Sequence, residues 1–246
     1  MIRNGVHISF LIAEGICAIF VTYLVKQSFK KYQNRRNQST FDLTISFLNF
    51  TIAIWLITLG RVLDYFSSYD AYNELSFVEL GLSLSFMFLA LANIWLAKFV
   101  VLVFMKENTQ WLNYYIILNG ITIGLFMPHI TMQPGTYRSL VPQVIYHALI
   151  SVVFYIKIVT LSYQEIKNAT DKLVKIGFKY ISLFGIFLIG IFIFTALDVI
   201  MVELGMIIAS TGSTVVYYFI WISAMLSILF GYLGYMMPDW LKNKYV

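Results

Sequence analysis

Seven apolar stretches, each long enough to cross a lipid bilayer as a helix, take up almost the whole 246-residue chain. A hydrocarbon core about 30 Å thick requires roughly 20 apolar residues of helix. The stretches are continuously apolar, which is typical of helices and not of barrel strands. The predicted spans are 6–25, 41–63, 77–105, 111–127, 140–161, 176–202 and 214–237, of which the fourth is the shortest. We therefore expect an all-α, polytopic membrane bundle of seven transmembrane helices. It would form a single domain over residues 1–246, with no soluble domain.

The basic residues predict the orientation of this bundle. If the helices alternate in direction, most of the 17 Lys and Arg residues fall on one side of the membrane, and the exceptions are Arg3, Arg61 and Arg138. Because Lys and Arg are enriched in cytoplasmic loops, we expect the N-terminus outside and the C-terminus in the cytoplasm. The net charge of +5 is then explained by orientation and by lipid headgroups, so the lipid bilayer is an expected partner and nucleic acid is not.

A basic face follows the first span and is predicted to be cytoplasmic. Its members are Lys30, Lys31, Arg35 and Arg36. This face is a candidate binding surface for a cytoplasmic signalling protein.

Ionisable side chains at membrane depth are costly and are candidate functional groups. The strongest candidate is Glu14, about two turns into the first span. The other candidates in the outer half of the bundle are Arg61, Asp64, Glu79, His147 and Asp198. In a structural interpretation, Arg61 pairs with Glu14, Asp64 or Asp198 and holds helix ends together. In a functional interpretation, these groups contact a small-molecule ligand or relay protons.

Polar and small residues elsewhere in the spans predict helix contacts. Asn49 and Asn93, in the inner half, are expected to form a hydrogen bond between the second and third helices. Gly120 and Gly124 form a GxxxG pair, which could pack the fourth helices of two copies into a homodimer. The single cysteine, Cys17, is expected to be a buried packing residue.

Several functional classes are disfavoured by what the sequence lacks. The topology is similar to that of rhodopsins and other seven-helix receptors, but the last span carries no lysine that could bind retinal. The three histidines form no HxxxH or HExxH pair, and no phosphate-binding glycine loop is present. We therefore expect neither an enzyme nor a bound metal or cofactor.

The exit of the last span reads GYLGYMMPDWLKNKYV, in which Pro238 is followed by Trp240, Leu241 and Lys242. This Pro-x-Trp-Leu-basic pattern resembles the exit of seven-helix sensory input modules in prokaryotic signalling proteins. The resemblance implies a sensor whose last helix leads to a cytoplasmic output domain, and here that output would come from a separate partner.

Three functional hypotheses follow from these features. The leading one is a receptor-like or sensor-like protein of a prokaryotic cell membrane that binds a small or amphipathic ligand in the outer half of the bundle. An alternative is a small transporter or permease that uses Glu14, Arg61 and Asp198 as a coupling site. A second alternative is a structural subunit of a larger membrane complex.

Overall fold

The computed structural model describes residues 3–66, 77–105, 109–131, 140–203 and 214–243, and these residues are helical with no strand. The seven long helices are α1 (Arg3–Arg35), α2 (Gln38–Phe66), α3 (Phe77–Phe104), α4 (Thr109–Thr131), α5 (Val141–Asn168), α6 (Lys172–Glu203) and α7 (Val216–Gly231). A π-helical turn (Tyr232–Met236) continues α7, and a short helix, α8 (Asp239–Asn243), follows it. The prediction of an all-α fold is confirmed.

Six of these helices are long and apolar enough to cross a membrane. The corresponding segments are Ile8–Arg35, Gln38–Leu63, Leu80–Phe104, Val141–Asn168, Lys172–Asp198 and Val216–Met236. Helix α4 is not among them, and it carries Asn113, Asn119 and Pro128 within its 23 residues. The structure therefore supports a membrane-embedded helical protein, while the seventh span and the orientation of the chain ends stay predictions.

Helix α1 illustrates how the apolar residues divide between lipid and core. Ile12, Ile16 and Ile19 lie on one face with 55%, 57% and 66% of their surfaces exposed, whereas Glu14 and Cys17 on the opposite face are completely buried. This division follows from the 3.6-residue period of the helix. An exposed apolar stripe of this length fits contact with lipid rather than with water.

Neighbouring helices pack in chain order, and α7 returns to α1, which closes the bundle. The most extensive pair is α2 with α3, because glycines allow their backbones to touch. A Cβ atom on Gly60 would collide with the carbonyl oxygen of Phe77, and one on Gly81 would lie 2.6 Å from the carbonyl oxygen of Leu56. In contrast, α4 packs extensively on α3 and only sparsely on α5.

The last helix ends where the sequence predicts, before Pro238. Met237 has a left-handed backbone conformation with φ of 40°, which terminates the π-helical turn. Proline cannot continue the helix, since it has no amide hydrogen. In the short helix α8, Leu241 is buried against the bundle while Trp240 remains 63% exposed.

Candidate functional site

Glu14 and Arg61 form a buried ion pair between α1 and α2. Nε of Arg61 donates a hydrogen bond of 2.9 Å to Oε1 of Glu14. Only 3% of the Arg61 side chain and none of the Glu14 side chain is exposed. The sequence left Glu14, Asp64 and Asp198 as possible partners of Arg61. The structure places Glu14 in contact with Arg61.

Two aromatic rings cover the guanidinium group of Arg61. Its Cζ atom lies 5.7 Å from the ring centre of Phe10 and 5.2 Å from that of Tyr217. These two rings meet edge to face, with their centres 5.7 Å apart. Cation–π contacts of this kind are strongest where water is excluded. Because Tyr217 belongs to α7, the pair and its rings join three helices: α1, α2 and α7.

One oxygen of the Glu14 carboxylate keeps spare hydrogen-bonding capacity. Oε1 accepts the bond from Arg61, but Oε2 is buried and has no hydrogen-bond partner among the described residues. The hydroxyl of Tyr217 lies within hydrogen-bonding reach of both members of the pair. A buried carboxylate oxygen that makes no hydrogen bond is unfavourable, and a donor group of a ligand or a proton would satisfy it.

Asp198 lies in a separate part of the same end of the bundle. Its carboxylate accepts a hydrogen bond from the hydroxyl of Thr214, and both side chains are almost completely buried. This bond connects the end of α6 to the residues that precede α7. The described contacts bring Glu14 and Arg61 together, and they place Asp198 on Thr214 rather than on that pair.

His147 is completely buried in α5 between aromatic side chains. The edges of Phe86 from α3 and Phe192 from α6 face its ring, with centres 5.5 Å and 5.2 Å away. Neither ring nitrogen of His147 has a hydrogen-bond partner among the described residues. The structure therefore places this histidine in an apolar aromatic setting, and its described contacts include neither Glu14 nor Arg61.

Below His147, a polar cluster connects α3 to α5. Nδ2 of Asn93 donates to Oγ of Ser151 at 3.0 Å, and the hydroxyl of Tyr155 donates to Oδ1 of Asn93 at 2.5 Å. All three residues are buried. The sequence analysis did not identify Ser151 or Tyr155. Their spacing of four and eight residues from His147 places all three on one face of α5, and this signal could have identified them.

The predicted hydrogen bond between Asn49 and Asn93 is wrong. Nδ2 of Asn49 donates to the carbonyl oxygen of Ile45 in its own helix, at 2.8 Å. The polar contact between α2 and α3 is instead made by Ser46, whose hydroxyl donates to the carbonyl oxygen of Ala92 at 2.9 Å. At this level the two helices are close enough for the short side chain of Ser46 to reach a backbone carbonyl of α3.

Several other candidates have no described partner or no described side chain. The side chains of Asp64 and Glu79 lie outside the described residues. Gly120 and Gly124 are exposed on α4 with open space beside them, which leaves the predicted homodimer untested. Within the part of the chain that the structure describes, no group of three or more His, Cys, Asp or Glu residues is placed to hold a metal ion.

The predicted cytoplasmic end contains contacts between the basic face of α1 and the segment that follows α7. Nζ of Lys31 lies 4.0 Å from Oδ1 of Asp239, and a guanidinium nitrogen of Arg35 donates to the carbonyl oxygen of Tyr235 at 3.4 Å. The hydroxyl of Tyr235 also forms a hydrogen bond with Ser39 in α2. Lys30 and Arg36 are exposed. The end of α7 thus rests on the basic face that the sequence analysis identified.

Comparison of the chain with protein-family models, with curated proteins and with solved structures gives no significant match.

Proposed function

We propose that this chain is a receptor-like or sensor-like protein of a prokaryotic cell membrane, with seven transmembrane helices, an external N-terminus and a cytoplasmic C-terminus. It would bind a small or amphipathic ligand in the outer half of the bundle and signal through a separate cytoplasmic partner. The observation that carries this proposal is the course of α7 and its π-helical turn. One end contacts the buried ion pair through Tyr217, and the other end contacts the basic face of α1 through Tyr235.

The length of this connection suits transmission across a bilayer. At 1.5 Å per residue, the helical path from Tyr217 to Tyr235 is about 27 Å long, close to the ~30 Å of a hydrocarbon core. A ligand that contacts the spare oxygen of Glu14 would bind more tightly to the protein in one placement of α7 than in another. This difference in affinity would shift the equilibrium between the two placements. The contacts of Lys31 and Arg35 with the end of α7 would report the shift on the cytoplasmic side.

A transporter or permease is the alternative, and one feature of Glu14 favours it. A buried carboxylate with one oxygen lacking a hydrogen-bond donor can take up and release a proton, as coupling groups in membrane transport do. In this alternative, Glu14 and Arg61 would form the coupling site. Asp198 would act through its bond to Thr214, at the junction of α6 and α7.

A structural subunit is the remaining alternative, and it is favoured by the direct contact between Glu14 and Arg61.

Proton flux separates the first two functions. The purified protein is reconstituted into liposomes that contain a pH-sensitive dye, and a membrane potential is imposed with valinomycin. A receptor is expected to give no flux above that of empty liposomes. Flux that is present in the native protein, disappears in Glu14→Gln and persists in the half-exposed control Glu165→Gln would refute the receptor proposal and support the transporter.

Ligand binding is tested by thermal stability in detergent against a panel of small amphipathic compounds. The receptor proposal expects at least one compound to raise the melting temperature of the native protein. Glu14→Gln should lose this response, and Glu165→Gln should retain it. If both variants respond as the native protein does, Glu14 does not contact the ligand. If no compound acts and no flux is found, the structural alternative is favoured.

Membrane topology is tested with single cysteines introduced on a Cys17→Ala background. A membrane-impermeant maleimide added to intact cells should label Ser68→Cys from outside and should leave Asn34→Cys unlabelled. Asn108→Cys and Ser139→Cys flank α4 and decide whether it spans the bilayer. Seven spans require label at position 139 and none at 108, whereas equal labelling of the two sites contradicts a seven-span protein.

A further inference from the structure

A lateral groove separates α4 from α5, where these two helices pack sparsely. Its volume is about 480 Å³, and its lining is predominantly apolar. Leu149 and Val153 in its wall are 64% and 69% exposed, so no other described part of the chain covers them. The groove is separate from the contacts of the Glu14–Arg61 pair.

The groove has an aromatic floor and a closed end. Tyr115 and Phe154 lie with their ring centres 4.3 Å apart, and Trp111 stacks on Tyr115 with centres 5.6 Å apart. At the other end, the hydroxyl of Tyr146 donates to the carbonyl oxygen of Leu118 at 3.4 Å and joins the two helices. The groove therefore extends from this hydrogen bond toward the beginning of α4.

Polar groups lie at the end of the groove that is farther from Tyr146. Lys157 and Thr160 of α5 and Tyr114 of α4 line the groove there, beside Trp111. Lys157 forms no ion pair with any described residue. Trp and Tyr are enriched at membrane interfaces, and a lysine a few turns from a helix end can extend its ammonium group toward the headgroups. A single cation at one end of an apolar groove favours a ligand with one anionic end and one apolar chain.

The length of the groove fits one leaflet of a bilayer. From Leu149 to Thr160, α5 advances about 17 Å at 1.5 Å per residue, and half of a 30 Å hydrocarbon core is ~15 Å. The polar end also lies at the beginning of α4, because Trp111 is two residues from Thr109. The groove thus matches one acyl chain of a membrane lipid in length and in polarity.

We propose that this groove binds one acyl chain of an anionic glycerophospholipid, with the lipid phosphate held by Lys157. The chain would lie on Phe154 and the aromatic floor and would reach toward the closed end at Tyr146. The acyl chain gains van der Waals contacts with the groove, and the ammonium group adds selectivity for an anionic over a zwitterionic headgroup. This inference does not depend on the ligand proposed for the outer half of the bundle.

The test is native mass spectrometry of the full chain, released from nanodiscs that contain equal amounts of dioleoylphosphatidylglycerol and dioleoylphosphatidylcholine. The native protein is expected to retain one phosphatidylglycerol molecule in preference to phosphatidylcholine. Lys157→Gln should lower this preference about fivefold, which corresponds to about 1 kcal/mol for one basic residue near a membrane surface. Lys157→Arg should keep it.

Val153→Trp fills the groove and should reduce the retention of both lipids. Because Val153 faces outward, this variant should fold, and the Lys157 variants test the proposal independently if it does not. The matched controls are Lys98→Gln, whose ammonium group packs on Trp95 away from the groove, and Ile186→Trp on the exposed face of α6. The proposal is overturned if the native protein retains no phosphatidylglycerol in preference, if Lys157→Gln retains it as the native protein does, or if Lys98→Gln causes an equal loss.

Discussion

Removal of one charge from the Glu14–Arg61 pair should strongly destabilise the folded bundle. At 2.9 Å and an effective dielectric constant of about 20, the attraction between the two charges is about 6 kcal/mol. Desolvation of both groups offsets part of this attraction. Loss of one partner leaves the other charge buried without it, and such losses typically cost about 3–5 kcal/mol. We therefore expect Glu14→Gln to lower the free energy of unfolding by about 3 kcal/mol or more.

Removal of both charges should cost less than the two single changes together. In the double variant Glu14→Gln and Arg61→Met, neither charge remains to be buried, and replacement of a complete buried pair by uncharged groups is often nearly neutral. We expect the cost of the double variant to be at least ~2 kcal/mol smaller than the sum of the single costs. This difference isolates the interaction between the two side chains from the packing of each one.

The measurement is reversible unfolding in mixed micelles of a mild detergent and sodium dodecyl sulfate, followed by circular dichroism and tryptophan fluorescence. The control variant is Glu165→Gln, which removes a half-exposed carboxylate from α5 and should change the stability by less than about 0.5 kcal/mol. The reasoning is refuted if Glu14→Gln costs less than about 1 kcal/mol, or if the costs of Glu14→Gln and Arg61→Met are additive.

Three further changes should alter the stability in the same unfolding assay. Gly60→Ala should lower the free energy of unfolding by about 1–3 kcal/mol because the added methyl group collides with a backbone carbonyl of α3. Gly15→Ala is the control, since Gly15 has open space beside it, and it should be neutral or slightly stabilising. Equal effects of the two changes would contradict the close approach of α2 and α3. Asn93→Leu should cost about 1–3 kcal/mol because two buried hydroxyls lose their partner, and a neutral result would argue against this link between α3 and α5. His147→Leu should instead raise the stability by about 1–3 kcal/mol because two buried nitrogens have no described partner; a loss of stability would mean that they are satisfied by water or by a ligand.

The membrane class of this protein could be predicted from the sequence because hydrophobicity is a property of each stretch alone. A run of about 20 apolar residues satisfies its backbone groups within its own helix, so helical spans do not depend on their neighbours. Helix α4 marks the limit of this reasoning. Its Asn113 and Asn119 lower its hydropathy, and it is not among the helices that are long and apolar enough to span a membrane.

The candidate site could be predicted only in part from the sequence, because the sequence identifies charged residues but does not determine their partners. Glu14 and Arg61 were identified because a charge in an apolar helix needs a partner wherever it lies. The identity of that partner was not determined by the sequence, which offered Glu14, Asp64 and Asp198 equally to Arg61. The pair with Glu14 depends on how α1 is rotated against α2, and no local pattern encodes that rotation.

The sequence by itself thus determined the helical elements, their apolar faces and the residues that need partners. The tertiary structure decided which partners they have. It placed Asn93 with Ser151 and Tyr155 of α5 rather than with Asn49 of α2, whose side chain bonds to its own helix. It also left a groove between α4 and α5, which no property of either helix alone predicts. Such contacts arise between elements that are distant in sequence, so they depend on the rotation and separation of whole helices.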